Sequence, residues 1–262
     1  EEGNKDYCKT IIIIQDNNLC PNVGSAKGRI SGQVMTEKNE EASPVDMRLY
    51  MNGAMIVQKV GSPYSFGDLD LRMQYIVEPE RNDDPLNGVS TQDIVAIQKH
   101  ILGKEALSTP YKLIAADVNN SRSISSADIA EIRKLILGTI SEFSKVKSWT
   151  FVPMTYKFAN PEYPFEAPRT EDIHFSQTQV DESKTSSFMA IKLGDVTTNA
   201  RAKNVGKIEE RTNQSLKLEV DEMDLQAGQE VTVNFRGINF EQIEGYQFSL
   251  KFDNSMLSYV GS

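Results

Sequence analysis

The chain has 262 residues, 28 of them Lys or Arg and 37 Asp or Glu, giving a net charge of -9 at pH 7 and a pI near 4.9. So acidic a balance argues against nucleic acid and anionic membrane as partners, because both are polyanions. The 39% hydrophobic and 25% charged fractions are those of a globular chain long enough for two or more domains, and no apolar run approaches the roughly 18 residues of a membrane span.

In chain order, the first strand-like run is Ile11 to Ile14. It lies between Cys8 and Cys20, with an Asp16-Asn17-Asn18 turn signal before the second cysteine. The two are expected as a hairpin disulfide formed in an oxidising compartment, with two unpaired thiols as the alternative. A zinc site made from them with His100 and His174 would need four converging ligands, which that spacing does not favour. An opening at Glu1 with no secretory leader suggests a piece of a longer chain. Ile30, Gly32 and Val34, then Met47, Leu49 and Met51, alternate with polar residues as half-buried strands do. Asn52-Gly53 and Gly61-Ser62-Pro63 supply turns between such runs.

From about residue 81 to 140 the period changes, and an internal repeat appears. Residues 90–103 align with 125–138 at an offset of 35, with eight identities in fourteen positions. Each copy spaces isoleucines at i, i+3 and i+7 and closes on a glycine, which predicts two amphipathic helices with left-handed C-terminal caps. Ser90 and Ser125 supply the chemistry of a helix N-terminus, each with an Asp in the opening turns.

The residues before the second helix carry more than a turn requires. With Asp117 as position 1, side-chain oxygens fall at positions 1, 3, 5, 9 and 12, namely Asp117, Asn119, Ser121, Ser125 and Asp128. Ser123 at position 7 would offer its carbonyl, and Ile124 at position 8 an apolar anchor. Calcium takes six to eight hard oxygen ligands, and an EF-hand-like loop converges alternate residues on one point. The first loop has a weaker pattern. With Asp93 as position 12, Asn82, Asp84, Leu86, Gly88 and Ser90 fall at positions 1, 3, 5, 7 and 9, and Val89 is the anchor. Leu86 could offer only its carbonyl. The residues thus predict calcium at two sites.

Trp149, Phe151, Tyr156, Phe158, Tyr163 and Phe165 then cluster among prolines. They are read either as a sugar-stacking platform or, better, as rings that cover the helices and join them to a following sandwich. Further alternating runs follow at Leu216, Leu218 and Val220, at Val231, Val233 and Phe235, and at Tyr246, Phe248, Leu250 and Phe252. With two histidines and neither a Gly-x-Ser-x-Gly nor a His-Glu-x-x-His motif, the chain is expected not to be an enzyme.

The paired loop–helix halves resemble the dockerin module, a likeness that covers about 60 residues of the chain. It implies Asp117, Asn119, Ser121, Ser123 and Asp128 as ligands of one site and Asn82, Asp84, Gly88 and Asp93 as ligands of the other. Arg122 stands where that family usually has glycine, and Ser121 replaces an acidic ligand. Dockerins bind cohesins through residues near the helix starts and middles, which here would be Thr91, Gln92, Gln98 and Lys99, with Ser126, Ala127, Arg133 and Lys134 in the second half. Residues 1–24 resemble the end of an immunoglobulin-like domain, 25–79 a prealbumin-like β-sandwich, and 213–262 the start of a cohesin-like sandwich. Residues 80–143 are then the dockerin-like module and 144–212 an aromatic, Pro-rich linking segment. The wording of residues 82–91 resembles segments of very long surface proteins of the Bacteroidetes. The expectation is a multidomain, mainly β protein with a two-helix, calcium-loaded module inserted between β-sandwich domains. It would serve as a structural spacer in a secreted or cell-surface adhesin or filament, in contact with neighbouring domains of the same chain. The alternatives are recognition of a cohesin-like domain or another copy in trans, and a carbohydrate-binding surface module.

Overall fold

A computed structural model describes residues 27–71, 73–176, 184–203, 217–238 and 250–260. The expected immunoglobulin-like end, with Cys8 and Cys20, lies outside the described residues, as does most of the Tyr246 to Phe252 run. The first strands are β1 (Lys27–Gly32), β2 (Val34–Met35), β3 (Asp46–Met51), β4 (Ala54–Val60), β5 (Tyr64–Asp70) and β6 (Tyr75–Glu80). Three helices follow: α1 (Thr91–Ile101), α2 (Pro110–Ala116) and α3 (Ser126–Ile136). The chain then returns to β7 (Trp149–Pro153), β8 (Ile173–Phe175), β9 (Lys184–Thr185) and β10 (Phe188–Lys192), and further on to β11 (Lys217–Val220) and β12 (Phe235–Ile238). The fold is mainly β.

Alternation places the strands as expected. Met47 and Leu49 on β3, Tyr75 and Val77 on β6, and Ile30 on β1 face one buried core, while their neighbours face outward. Asn52 and Gly53 both take positive φ, 51° and 82°, as a two-residue hairpin turn between β3 and β4 requires. Two sheets enclose the core, ordered β4-β3-β6-β8 and β5-β1-β9. β8 pairs with β6 and β9 runs parallel to β1, so strands from beyond the helices lie in the same sheets as strands from before them. The chain therefore leaves this sandwich after β6, builds the helical segment, and comes back to complete it.

A third sheet, β2-β10-β7, joins the two halves. Every residue of β7 is buried. Trp149 and Phe151 belong to the sandwich core, and Val152 to the core under the helices. On β10 the split repeats, with Phe188 and Ala190 facing the sandwich and Ile191 the helices. Trp149 and Phe151 thus pack on the sandwich that precedes the helices in sequence. Phe165, with the half-buried Tyr156 and Phe158, packs against the helices.

The helices follow the repeat, with one addition. α1 and α3 begin after Ser90 and Ser125, and Gly103 and Gly138 end them at φ 65° and 68°. The two-helix expectation omits α2, which Thr109 caps by accepting from Lys112 N and Pro110 opens. At seven residues it is too short for a helical period to show. The expected strand through Val231 and Val233 also differs, because the ladder with β11 begins only at Phe235. Residues 231–234 have no partner strand among the described residues, and extended chain without a ladder is not a strand.

β1 and the return segment meet closely at Gly32. A Cβ there would lie 1.8 Å from the carbonyl oxygen of Ser186, a residue whose backbone N–H donates to Ser31 O at 2.8 Å. A Gly32→Ala substitution should therefore cost about 2–3 kcal/mol of stability, read as a lower urea midpoint. An unchanged midpoint would mean that this contact is looser than described.

Candidate functional site

The second loop brings its predicted oxygens together. Asp117, at the end of α2, accepts from Ser121 N on Oδ1 and from Arg122 N on Oδ2, both at 2.8 Å. Asn119 Oδ1 accepts from the same Ser121 N at 2.9 Å. The Ser121 hydroxyl lies 3.0 Å from the Ser123 carbonyl oxygen. Asp128, at the third position of α3, turns Oδ2 to Ser125 N at 2.9 Å and leaves Oδ1 toward the loop, where Asn119 N approaches at 3.4 Å. Burial pushes the Asp128 carboxyl above its usual range, and Asp117 adds to this. Ile124 packs into the core beneath the helices, as an anchor should. Two carboxylates, an amide oxygen, a hydroxyl and a carbonyl form a hard-oxygen set that suits calcium.

The first loop is arranged differently. Asn82 Oδ1 accepts from Ser148 N at 2.8 Å and from its hydroxyl at 3.1 Å. The Leu86 side chain is exposed, and Asp84 takes φ 40° near Lys192. Asp93 is fully buried. Its Oδ2 accepts from Ser90 N at 2.8 Å, matching Asp128 and Ser125, but its Oδ1 accepts from Val196 N, Thr197 N and the Thr197 hydroxyl at 2.8–2.9 Å. The partner of Asp93 is thus a segment about a hundred residues away.

That segment, Asp195 to Ala200, repeats the geometry of Asp117 to Arg122. Asp195 Oδ1 accepts from Asn199 N at 2.9 Å and Oδ2 from Ala200 N at 2.6 Å, the same i+4 and i+5 donors that Asp117 uses. Thr198 takes φ 59°, as Asn120 takes 56°. Thr197 N approaches Asp93 as Asn119 N approaches Asp128. The chain does not continue from Ala200 into the helix; packing does that work. Asn87 exchanges two 3.0 Å hydrogen bonds with Arg201, and Gly88 lies so close that a Cβ on it would stand 2.5 Å from Ala200 N. Residue 88 holds the position of Ser123 in the repeat, so a discontinuous loop runs Asp195, Thr197, Asn199, then Gly88 to Asp93. Burial, with Asp93 beside it, pushes the Asp195 carboxyl up to about 6.

Sequence reasoning missed Asp195, Thr197 and Asn199. The available signal was an Asp-Val pair with polar residues at the third and fifth positions, shared by 117–121 and 195–199. Among the described residues no three His, Cys, Asp or Glu side chains gather as a metal-ligating group; each of the two loops holds two carboxylates. Of the candidate partner-binding residues, Gln92, Gln98, Lys99, Ser126, Ala127, Arg133 and Lys134 are exposed and Thr91 is half-buried. Lys99 pairs with Glu105 and Lys134 with Glu131. His100 Nδ1 accepts from Leu107 N at 3.3 Å, a packing role.

Asp93 joins two distant segments through its hydrogen bonds. Asp93→Ala strands buried N–H groups of Val196 and Thr197 and should cost about 2–4 kcal/mol in chelator as well as in calcium, measured by denaturant unfolding. A loss seen only in calcium would contradict that role.

Comparison of the chain with protein-family models, with curated proteins and with solved structures finds no match.

Proposed function

We propose that the protein is a calcium-stabilised structural spacer, a non-catalytic module of a large secreted or cell-surface chain that holds neighbouring domains at a fixed geometry. The observation that carries this reading is the shared build of the two loops. Each sets an Asp at its start, polar oxygens at its third and fifth positions, and a buried Asp on the first turn of a helix. Carboxylates gathered in this way repel one another, and a divalent cation relieves the repulsion. Asp117, Asn119, Ser121, Ser123 and Asp128 would hold one ion. Asp195, Thr197, Asn199, Gly88 and Asp93 would hold a second, in place of the contiguous set beginning at Asn82. The ion supplies charge neutralisation and a fixed point. The residues supply oxygens on rigid elements, so the helical segment is fastened to the strands that follow it. No helix among the described residues is long and apolar enough to cross a membrane.

One observation favours a second reading, recognition of a cohesin-like domain in trans. The residues corresponding to a docking surface are nearly all exposed, since the helices turn their apolar faces to Phe143, Val152, Phe165 and Ile191.

Calorimetric titration of metal-stripped protein with calcium should give two binding events. Asp117→Ala with Asp128→Ala should remove one event, Asp195→Ala the other, and Asn82→Ala neither. At a hundredfold excess over Kd each ion adds about 2.7 kcal/mol, so the two together should raise melting by roughly 10–20 °C over the chelated protein. A carboxylate must lose its proton to bind the ion, so affinity at the Asp195 site should fall as pH drops through about 6. Equal melting with and without chelator, and no heat of binding, would sink the calcium reading.

A further inference from the structure

An open cleft of about 350 Å³ lies between the second loop, the approach to β7 and the turn at 164–171, and its volume is in the range of small-molecule sites. Trp149, Phe165 and Leu193 give it an apolar side. Its charged lining is Arg122, Lys145, Lys147 and Arg169 against Asp117 and Glu171. Lys147 pairs with Glu80 outside the cleft, which leaves three cations facing two carboxylates in a protein of net charge -9. The cleft is a locally basic spot on an acidic molecule.

Arg169 is the least satisfied of these groups. A guanidinium carries five N–H donors. Its side chain is only 23% exposed, yet its one hydrogen bond among the described residues is a long one, from Nη2 to Thr150 Oγ1 at 3.4 Å. Glu171 stands 4.0 Å away and already accepts from the Thr150 hydroxyl. Arg169 Nε is buried with no acceptor among the described residues, and so is Nε1 of Trp149, a side chain 2% exposed. An oxyanion in the cleft can satisfy the remaining N–H donors of the Arg169 guanidinium, whose planar fork matches a carboxylate or sulfate.

We propose that this cleft binds the carboxylate or sulfate group of a small acidic molecule about the size of a monosaccharide, with Arg169 as the main contact and Arg122 and Lys145 as rim charges. The cleft borders the second calcium loop through Asp117 and Arg122, so its test is run in chelator, where it does not depend on the calcium reading, and repeated in calcium. Trp149 is the only tryptophan and its side chain lines the cleft, so its indole N–H gives a single reporter resonance close to the site. Sodium glucuronate and sodium sulfate are each titrated against sodium chloride at matched ionic strength. The expected result is a saturable shift of that resonance. Affinity should weaken about tenfold or more in Arg169→Gln. Lys145→Gln, an exposed change that leaves the fold alone, should weaken it about two- to fivefold. A response to glucuronate alone assigns a sugar acid, and one to sulfate alone assigns a sulfate group. No saturable shift with either anion, or the same affinity in both variants as in the wild type, would overturn the proposal.

Discussion

One sheet buried on both faces holds the molecule together. β2, β10 and β7 separate two hydrophobic cores, and successive residues of β7 and β10 belong alternately to the sandwich and to the helical layer. A sheet in that position loses the apolar–polar alternation that marks a solvated strand. The polar residues it carries must find partners inside. Thr150 donates to Glu171, and Lys192 reaches the Pro85 carbonyl oxygen at 2.7 Å. Burial pushes the Lys192 ammonium down to about 8, despite Asp195, Asp84 and Asp83 nearby. Arg81 stacks on Trp149 with its Cζ 4.3 Å from the ring centre, so the indole is covered by a cation.

This wall also explains why the two loops differ. Gly194, directly after β10, donates to the Ala115 carbonyl oxygen at 2.8 Å and turns at φ 88° beside Val89 and Phe143. That turn delivers Asp195 to the start of α1, where the sequence repeat alone would place Asn82. A loop of this kind needs an Asp whose two oxygens take backbone N–H groups four and five residues on, and a second Asp on a helix facing it. Nothing in that requirement demands an unbroken chain. At the second loop the two parts are joined covalently through Arg122 and Ser123, and at the first they are joined through Asn87 and Arg201.

The parts of the fold legible in the sequence were those set by local chemistry. The 35-residue repeat carried both long helices, their serine caps and their glycine stops, and alternation carried Met47, Leu49 and Ile30 to the core. The second loop was legible because its oxygens are consecutive. What escaped was non-local. Val152 and Trp149 both read as apolar, but neither tells which of two cores it serves. The parallel pairing of β9 with β1 depends on a glycine, Gly32, whose reason lies 150 residues away at Ser186. The likeness of 195–199 to 117–121 rests on an Asp-Val pair and polar spacing, too little to find without Asp93 beside it in space.

The parallel pairing of β1 with β9 has a mechanical side. Tension applied between Lys27 and Lys203 does not need to travel along the covalent chain between them, because Ile30 and Ser31 are laddered to Lys184 and Thr185. Pulling one strand by its start and the other by its end slides the two along their length, so the ladder bonds are stretched together rather than opened one at a time. The helical layer and the second loop lie within the bypassed stretch of chain, so a pull that the sandwich withstands leaves them unstrained, whereas Asp195 to Asn199 of the first loop lie on the loaded side, between β9 and Lys203.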